Sequence, residues 1–416
     1  MLSESEWSPL REVMMHYPGV ELEYAMTAPG PFLFERPFNI PKARREHENL
    51  QEILRKNGVK VRILKDEFLW RCEQNPEFRR KLEEIVLDTV KFYGPLEIAR
   101  EQKKKFVTNL PDLDSETLLH FLTLEPSVDL RKDGDMEYPT IYSNLPLANL
   151  YFMRDQQAVS KNSVIMGRMR KLQRMKEVSI TAIFFKEFYG DKKMHHITRG
   201  FFEGGDFMPA KDFALIGTGP RSDIDGVSQI LDFGLDFDEI VVVNNPLYDF
   251  MGNEQKRSMV NMHLDTYFNL ADRDLAITSE ELCSRAGIDI YYRDGDVFTK
   301  AGSSDLLSFL REKGFEIINL RISEQMSYSS NFLTISPSKI VAVKSSSVLE
   351  KLMSSSYFPE NLREAIINDL KRNGNVLFPE NRDVKDRALD VQEIDLSEIT
   401  GGYGGAHCMT ATLKRG

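Results

Sequence analysis

The sequence predicts a mixed α/β fold, a radial propeller of five helix-and-strand modules with an α-helical bundle inserted into it. Three observations predict it. A helical segment that ends at glycine and runs straight into an apolar strand recurs around Gly58, Gly234, Gly287, Gly314 and Gly374. Second strands lie between these units, and no strand-GxGxxG-helix start marks a doubly wound sheet. Modules of this size cannot bury their faces alone, so packing around a common centre is the expected solution.

Taken in order, "LRKNGVKVRIL", "LDFGLDFDEIVVV", "SRAGIDIYY", "LREKGFEIINL" and "LKRNGNVLF" each place the glycine as a left-handed helix cap. Each run that follows is rich in β-branched or aromatic residues. "SVIMGRM", "FALIGTG", "FLTISP" and "KIVAVKS" supply the second strands. From about Lys65 to Asp135 the chain instead alternates apolar and charged residues at helical spacing, broken by Gly-Pro and Leu-Pro-Asp turns. The expectation is one catalytic domain over 1–416 with a helical-bundle insertion at 65–135. Lys103 to Lys105 read as a solvated helix face, and "SKIVAVKSSSVLEKLMSSSY" as a mobile surface stretch.

The bulk properties narrow the function. The chain has 416 residues, a net charge of -10 and 41% hydrophobic residues. Such an acidic balance offers no field for phosphate backbones, so nucleic acid is excluded as a partner, whereas small cations are welcome. No apolar run is long enough to span a bilayer and the start lacks the regions of a signal peptide, so a cytoplasmic protein is expected. Cys72, Cys283 and Cys408 are few and widely separated, which implies neither a disulfide framework nor a cysteine zinc site.

The polar clusters fall where apolar runs end. "NLYFMRDQQ" offers Asn149, Phe152, Arg154 and Asp155, and "FFEGGDFMP" sets Glu203 and Asp206 across a Gly-Gly turn, where both carboxylates could face one pocket. "NMHLDTYF" puts His263 and Asp265 two apart in an extended run, on one face of a strand. "GTGPR" supplies Arg221, and "GGYGGAHCMTATLKRG" supplies Cys408 after Gly401, Gly402, Tyr403, Gly404 and Gly405. These glycines permit φ > 0 and close approach to a ligand, and a thiol beside their N–H groups is expected to have a lowered pKa. Singly, each residue reads as readily as a turn former or a core histidine. Jointly, a thiol, an imidazole and several carboxylates suit nucleophilic attack on a bound guanidinium, with His263 as acid and base and Glu203 orienting it. A zinc site from His263, Asp265 and Cys408 lacks any HExxH or CxxC spacing to support it.

At these residues the sequence resembles the arginine deiminases of the guanidino-group modifying superfamily. Asn-x-x-Phe-x-Arg-Asp, Glu-Gly-Gly-Asp, His-x-Asp and a C-terminal Gly-rich Cys occur in that family's order over nearly the whole chain. The resemblance implies the five-module pentein propeller with its helical insertion. It implies Cys408 as nucleophile, His263 as general acid and base, Glu203 as its partner, and Asp155 and Asp265 as holders of the guanidinium. Asn149, Phe152 and Arg221 match substrate contacts, Asp206 a further carboxylate near the site, and Arg174 in "GRMRKLQRMKEV" a carboxylate-binding arginine. Two departures stand out: "FMRDQ" replaces the family's "FTRDP", and Tyr403 stands where a loop arginine is frequent.

The expected reaction is hydrolysis of free L-arginine to citrulline and ammonia through a cysteine thiouronium, with no metal and no organic cofactor. The expected partner is a small guanidine, with homo-oligomerisation as an analogy from relatives. The alternatives are an amidinotransferase or a deiminase of a related guanidine such as agmatine, and a non-catalytic guanidine-binding protein.

Overall fold

The computed structural model describes residues 3–190, 193–248, 261–295 and 297–416. All six of its described sheets share one plan, in which a middle strand pairs antiparallel with one neighbour and parallel with the other. Leu10–Met15 lies between Lys60–Ile63 (parallel) and the C-terminal strand Ala411–Arg415 (antiparallel), so the two ends of the chain close one sheet. The next is Gln157–Val159, Val164–Met166 and Met194–His196. Phe207–Ala210, Phe213–Thr218 and Glu239–Asn244 form the third, which a hairpin of Gly287–Asp294 and Val297–Asp305 extends. Phe268–Asp272, Leu275–Thr278 and Glu316–Asn319 form the fourth, and Leu333–Ser336, Lys339–Val343 and Asp390–Ile394 the fifth.

Several middle strands are buried along most of their length, and Val164–Met166 and Leu275–Thr278 along all of it. They therefore read as continuous apolar runs rather than as alternating ones. Amphipathic helices cover them; Ile40–Lys56, for example, buries Ala43, His47, Leu50 and Leu54. Residues after the first sheet form helices Leu64–Gln74, Pro76–Thr89, Leu96–Asn109 and Ser115–Leu124. The same stretch also holds a sixth sheet of Lys91–Tyr93, Pro126–Asp133 and Met136–Ser143. Among the described residues no helix is long and apolar enough to cross a membrane.

Gly58, Gly234, Gly314 and Gly374 take φ of 76°, 63°, 82° and 64°, the left-handed cap conformation expected of them. Gly287 does not: its helix stops at Arg285, Ala286 is extended, and Gly287 opens a strand paired with Asp305. "NVLF" after Gly374 is not a strand either, because Phe378 turns into the core and the sheet is completed by Asp390–Ile394. The serine-rich stretch read as mobile is strand Lys339–Val343 followed by helix Ser345–Ser354. Its Val348, Leu349 and Leu352 fall on one face and are buried, which outweighs the serines.

Candidate active site

Cys408 sits in the turn that enters the last strand, and it is buried. Its thiol is not activated as the glycines suggested. The N–H groups of Gly405 and Cys408 donate to Asn331 Oδ1 at 2.8 and 3.1 Å, not to the sulfur. Burial, then Asp265 and Asp155, push the thiol well above its ordinary range, while a hydrogen bond from Asn331 pulls it back. The resting group is a neutral thiol, with Sγ 3.5 Å from Asp265 Oδ2. The glycines serve close packing instead. A Cβ on Gly404 would lie 2.5 Å from Phe152 Cε1 and 2.8 Å from Cys408 Cβ. The one residue of this loop with positive φ is Tyr403, at 69°.

His263 is buried, and its Nε2 lies 2.9 Å from Glu203 Oε2 while Nδ1 lies 3.7 Å from Asp155 Oδ1. Burial pulls the imidazole down, but Asp155, the Glu203 hydrogen bond and Asp206 outweigh it and raise His263 to about 9. It is an imidazolium at neutral pH. Burial would raise Glu203, yet Arg221 first and His263 next hold its carboxyl well below the usual range. His263 and Asp265 do not share a strand face. Thr266 N–H and hydroxyl both donate to His263 O, closing the short 3-10 turn Leu264–Thr266. That turn sends His263 toward Glu203 and Asp265 toward the thiol. Gly205 is needed under the ring, because a Cβ there would lie 2.9 Å from His263 Cγ.

Asp265 Oδ2 pairs with His407 Nδ1 at 2.8 Å, and His407 Nε2 reaches Glu6 Oε1 at 3.1 Å. Burial opposes ionisation of Asp265, but His407 and then His263 and Arg154 keep its pKa lowered. Asp155 Oδ2 accepts from Arg174 Nη1 at 2.6 Å. The second oxygen of each carboxylate, Asp155 Oδ1 and Asp265 Oδ1, is buried with no hydrogen-bond donor. Buried acceptors without donors are costly, so two of them beside one thiol mark the place of a missing donor set.

Leu33, Asn149, Phe152, Asp155, Arg174, Arg221, Met262, His263, Gly402, Tyr403 and Cys408 line a narrow cleft of about 260 Å³. Of the residues expected from sequence, Glu203 stands behind His263, 2.9 Å from its Nε2, and Asp265 lies against Cys408 with its Oδ1 unpartnered. Asp206 does not reach the cleft. Its oxygens are occupied by Ser222 Oγ (2.6 Å), Asn245 Nδ2 (2.8 Å) and the Leu264 N–H (2.9 Å), which makes it a brace for the His263 turn. Arg174 lies in the wall, but its guanidinium is held by Asp155 and Glu177, with Nη2 2.9 Å from Glu177 Oε2. Asn149 Nδ2 donates to Phe32 O at 2.8 Å, tying the segment that carries Leu33 to the cleft. Sequence reasoning missed Leu33, Met262 and Asn331. The one signal for Asn331 was a polar run, Ser329 to Asn331, set between Met326 and the strand at Leu333.

Asp155, Glu203 and His263 bring one ligand atom each within 4.8 Å of one another. A cation there would share Asp155 with Arg174 and Glu203 with Arg221, so the arrangement suits an imidazolium better than a metal. The trio His263, Asp265 and Cys408 is not the grouping that forms.

The mixed α/β fold is that of the pentein proteins. Among solved structures, the N-terminal domain of ArgZ, a cyanobacterial arginine dihydrolase bound to substrate, matches with a TM-score of 0.53 and 13% identity over 97% of this chain and 98% of that one. Dimethylarginine dimethylaminohydrolase from Pseudomonas aeruginosa, complexed with citrulline, matches with a TM-score of 0.51 and 14% identity over 97% and 98%. The family model of arginine deiminase matches residues 31–415, and the chain belongs to that family. Relatives include the arginine deiminases of Halobacterium salinarum (24% identical, 99% of this chain and 96% of that protein) and Streptococcus sanguinis (25%, 99% and 97%).

Proposed function

We propose that this protein hydrolyses the guanidinium of free L-arginine to citrulline and ammonia, with Cys408 as nucleophile. The observation that carries the reading is the pair of unsatisfied oxygens, Asp155 Oδ1 and Asp265 Oδ1, beside Cys408. A guanidinium is planar, carries five N–H donors and meets carboxylates bidentately. Bound between the two, it satisfies both oxygens and brings its carbon to the sulfur.

Substrate charge also switches the thiol on. Asp265 and Asp155 are the charges that disfavour the thiolate, and the arriving cation neutralises both, releasing the thiol proton to solvent. Sγ then attacks the guanidinium carbon. His263 gives its proton to the departing nitrogen, the C–N bond breaks and ammonia leaves. The neutral imidazole next takes a proton from water, whose oxygen adds to the thiouronium carbon. Breakage of the C–S bond returns the electron pair to sulfur, and loss of the remaining proton from oxygen leaves the citrulline carbonyl. Arg221 and Asn149 in the cleft wall would take the amino-acid end of the substrate. The five sheets other than that of Lys91–Tyr93, Pro126–Asp133 and Met136–Ser143 would pack as propeller modules around this site, with residues 65–135 as an insertion.

A second reading rests on Tyr403, which lines the cleft without positive charge. It keeps the chemistry and widens the substrate to guanidines that lack an α-carboxylate. Incubation with arginine and assay of citrulline, ammonia and ornithine separates hydrolysis from amidino transfer. Cys408→Ala should abolish product while arginine binding remains measurable by calorimetry; a Cys408→Ala protein with ordinary turnover would sink the mechanism.

A further inference from the structure

Asn331 precedes the strand Leu333–Ser336, is fully buried, and uses every polar atom of its side chain on the Cys408 turn. Oδ1 accepts from Gly405 N at 2.8 Å and from Cys408 N at 3.1 Å. Nδ2 donates to Cys408 Sγ at 3.1 Å and to Asp265 O at 3.0 Å. Its backbone carbonyl accepts from His407 N at 3.1 Å. The amide cannot be turned over. The reverse orientation would set NH2 against two N–H donors and C=O against the Asp265 carbonyl. Two acceptor sites and two N–H groups meet two donors and two acceptors, so the residue is read in full by its surroundings.

This arrangement has a chemical consequence. The backbone N–H groups nearest the sulfur are directed to Asn331 Oδ1, and the thiolate is left facing two aspartates. Among the described residues, the Asn331 amide is the one group that donates a hydrogen bond to Sγ. A hydrogen bond donated to sulfur strengthens as the sulfur becomes anionic. We infer that Asn331 is a further catalytic residue: its Nδ2 stabilises the Cys408 thiolate before attack and again when the C–S bond breaks, while Oδ1 fixes the turn that aims the sulfur. The inference rests on Cys408 being the nucleophile.

The test uses two variants. Asn331→Asp is isosteric and keeps an acceptor for Gly405 N and Cys408 N, but replaces the donor facing sulfur with a carboxyl oxygen. Asn331→Ser removes both halves of the amide without adding charge. Each is checked for folding by near-ultraviolet circular dichroism and melting temperature. Each is then assayed for kcat and KM with arginine, and for the pH midpoint of Cys408 alkylation by iodoacetamide, read by peptide mass spectrometry. The expected result is a kcat lowered about ten- to hundredfold with a smaller change in KM, together with an alkylation midpoint moved to higher pH. A folded variant with wild-type kcat, or one whose kcat falls while the midpoint stays in place, overturns the inference. So does failure of both variants to fold, which would make Asn331 a structural support. Cys408→Ala is run beside them, and turnover in that variant would defeat the nucleophile assignment itself, whatever Asn331 does.

Discussion

Glu203 and His263 form the central pair of the site, Oε2 to Nε2 at 2.9 Å, with Arg221 Nη1 3.3 Å from the same carboxylate oxygen. The carboxylate is held ionised by the arginine, and it in turn holds the imidazole protonated and fixes which nitrogen faces the cleft. A histidine that must give a proton to a leaving nitrogen needs both conditions.

Glu203→Gln keeps the shape of this contact and removes its charge. Turnover should fall by at least tenfold with little change in the substrate dissociation constant, because the chemical step loses its protonated acid. Steady-state kinetics with a parallel binding measurement decide it. A variant that chiefly binds arginine more weakly would reassign Glu203 to substrate contact.

The His263 shift also makes a stability prediction. The folded-state value is raised from 6.5 to about 9, so the folded state binds the proton more tightly than the unfolded chain does. The stabilisation is fully present below 6.5 and lost as pH rises through about 9. Melting temperatures of wild type and His263→Asn, compared across this range, should differ most at the acid end and converge above it. A difference independent of pH would mean that the imidazole is not held charged.

Asp206 is a brace by its contacts, although the family pattern suggested a carboxylate near the substrate. Asp206→Asn removes the charge and makes the Ser222 hydroxyl give up its donated bond and accept from the new NH2, at a cost of about 1–3 kcal/mol of stability. Thermal denaturation should register this loss, while KM for arginine in the folded variant stays near wild type. A selective rise in KM at unchanged melting temperature would restore Asp206 to substrate binding.

Tyr403 bears on substrate choice. A phenol can donate one hydrogen bond and stack on a planar cation, but it does not neutralise a carboxylate. Replacing a charge-assisted bond with it should forgo about 1.5–3 kcal/mol of binding to the α-carboxylate. Tyr403→Arg should therefore raise the preference for arginine over its decarboxylated analogue, agmatine, in kcat/KM. An unchanged ratio would show that Tyr403 does not read the carboxylate.

The sequence by itself determined the class of chemistry. Cys408, His263, Glu203, Asp155 and Asp265 were legible as candidates because each ends an apolar run and their four residue types together have one obvious use; four of the five glycine caps were legible because a left-handed helix end admits little else. Only the tertiary structure decided how those groups are tuned. Whether a backbone N–H near Cys408 faces the sulfur or an amide depends on Asn331, 77 residues away in sequence. Whether Asp206 meets substrate or Ser222, Asn245 and Leu264 depends on three segments that no local pattern relates. Residue types and their order follow from local propensity and periodicity, whereas burial and the direction of each hydrogen bond arise only when distant segments pack, and in a buried site these set every charge.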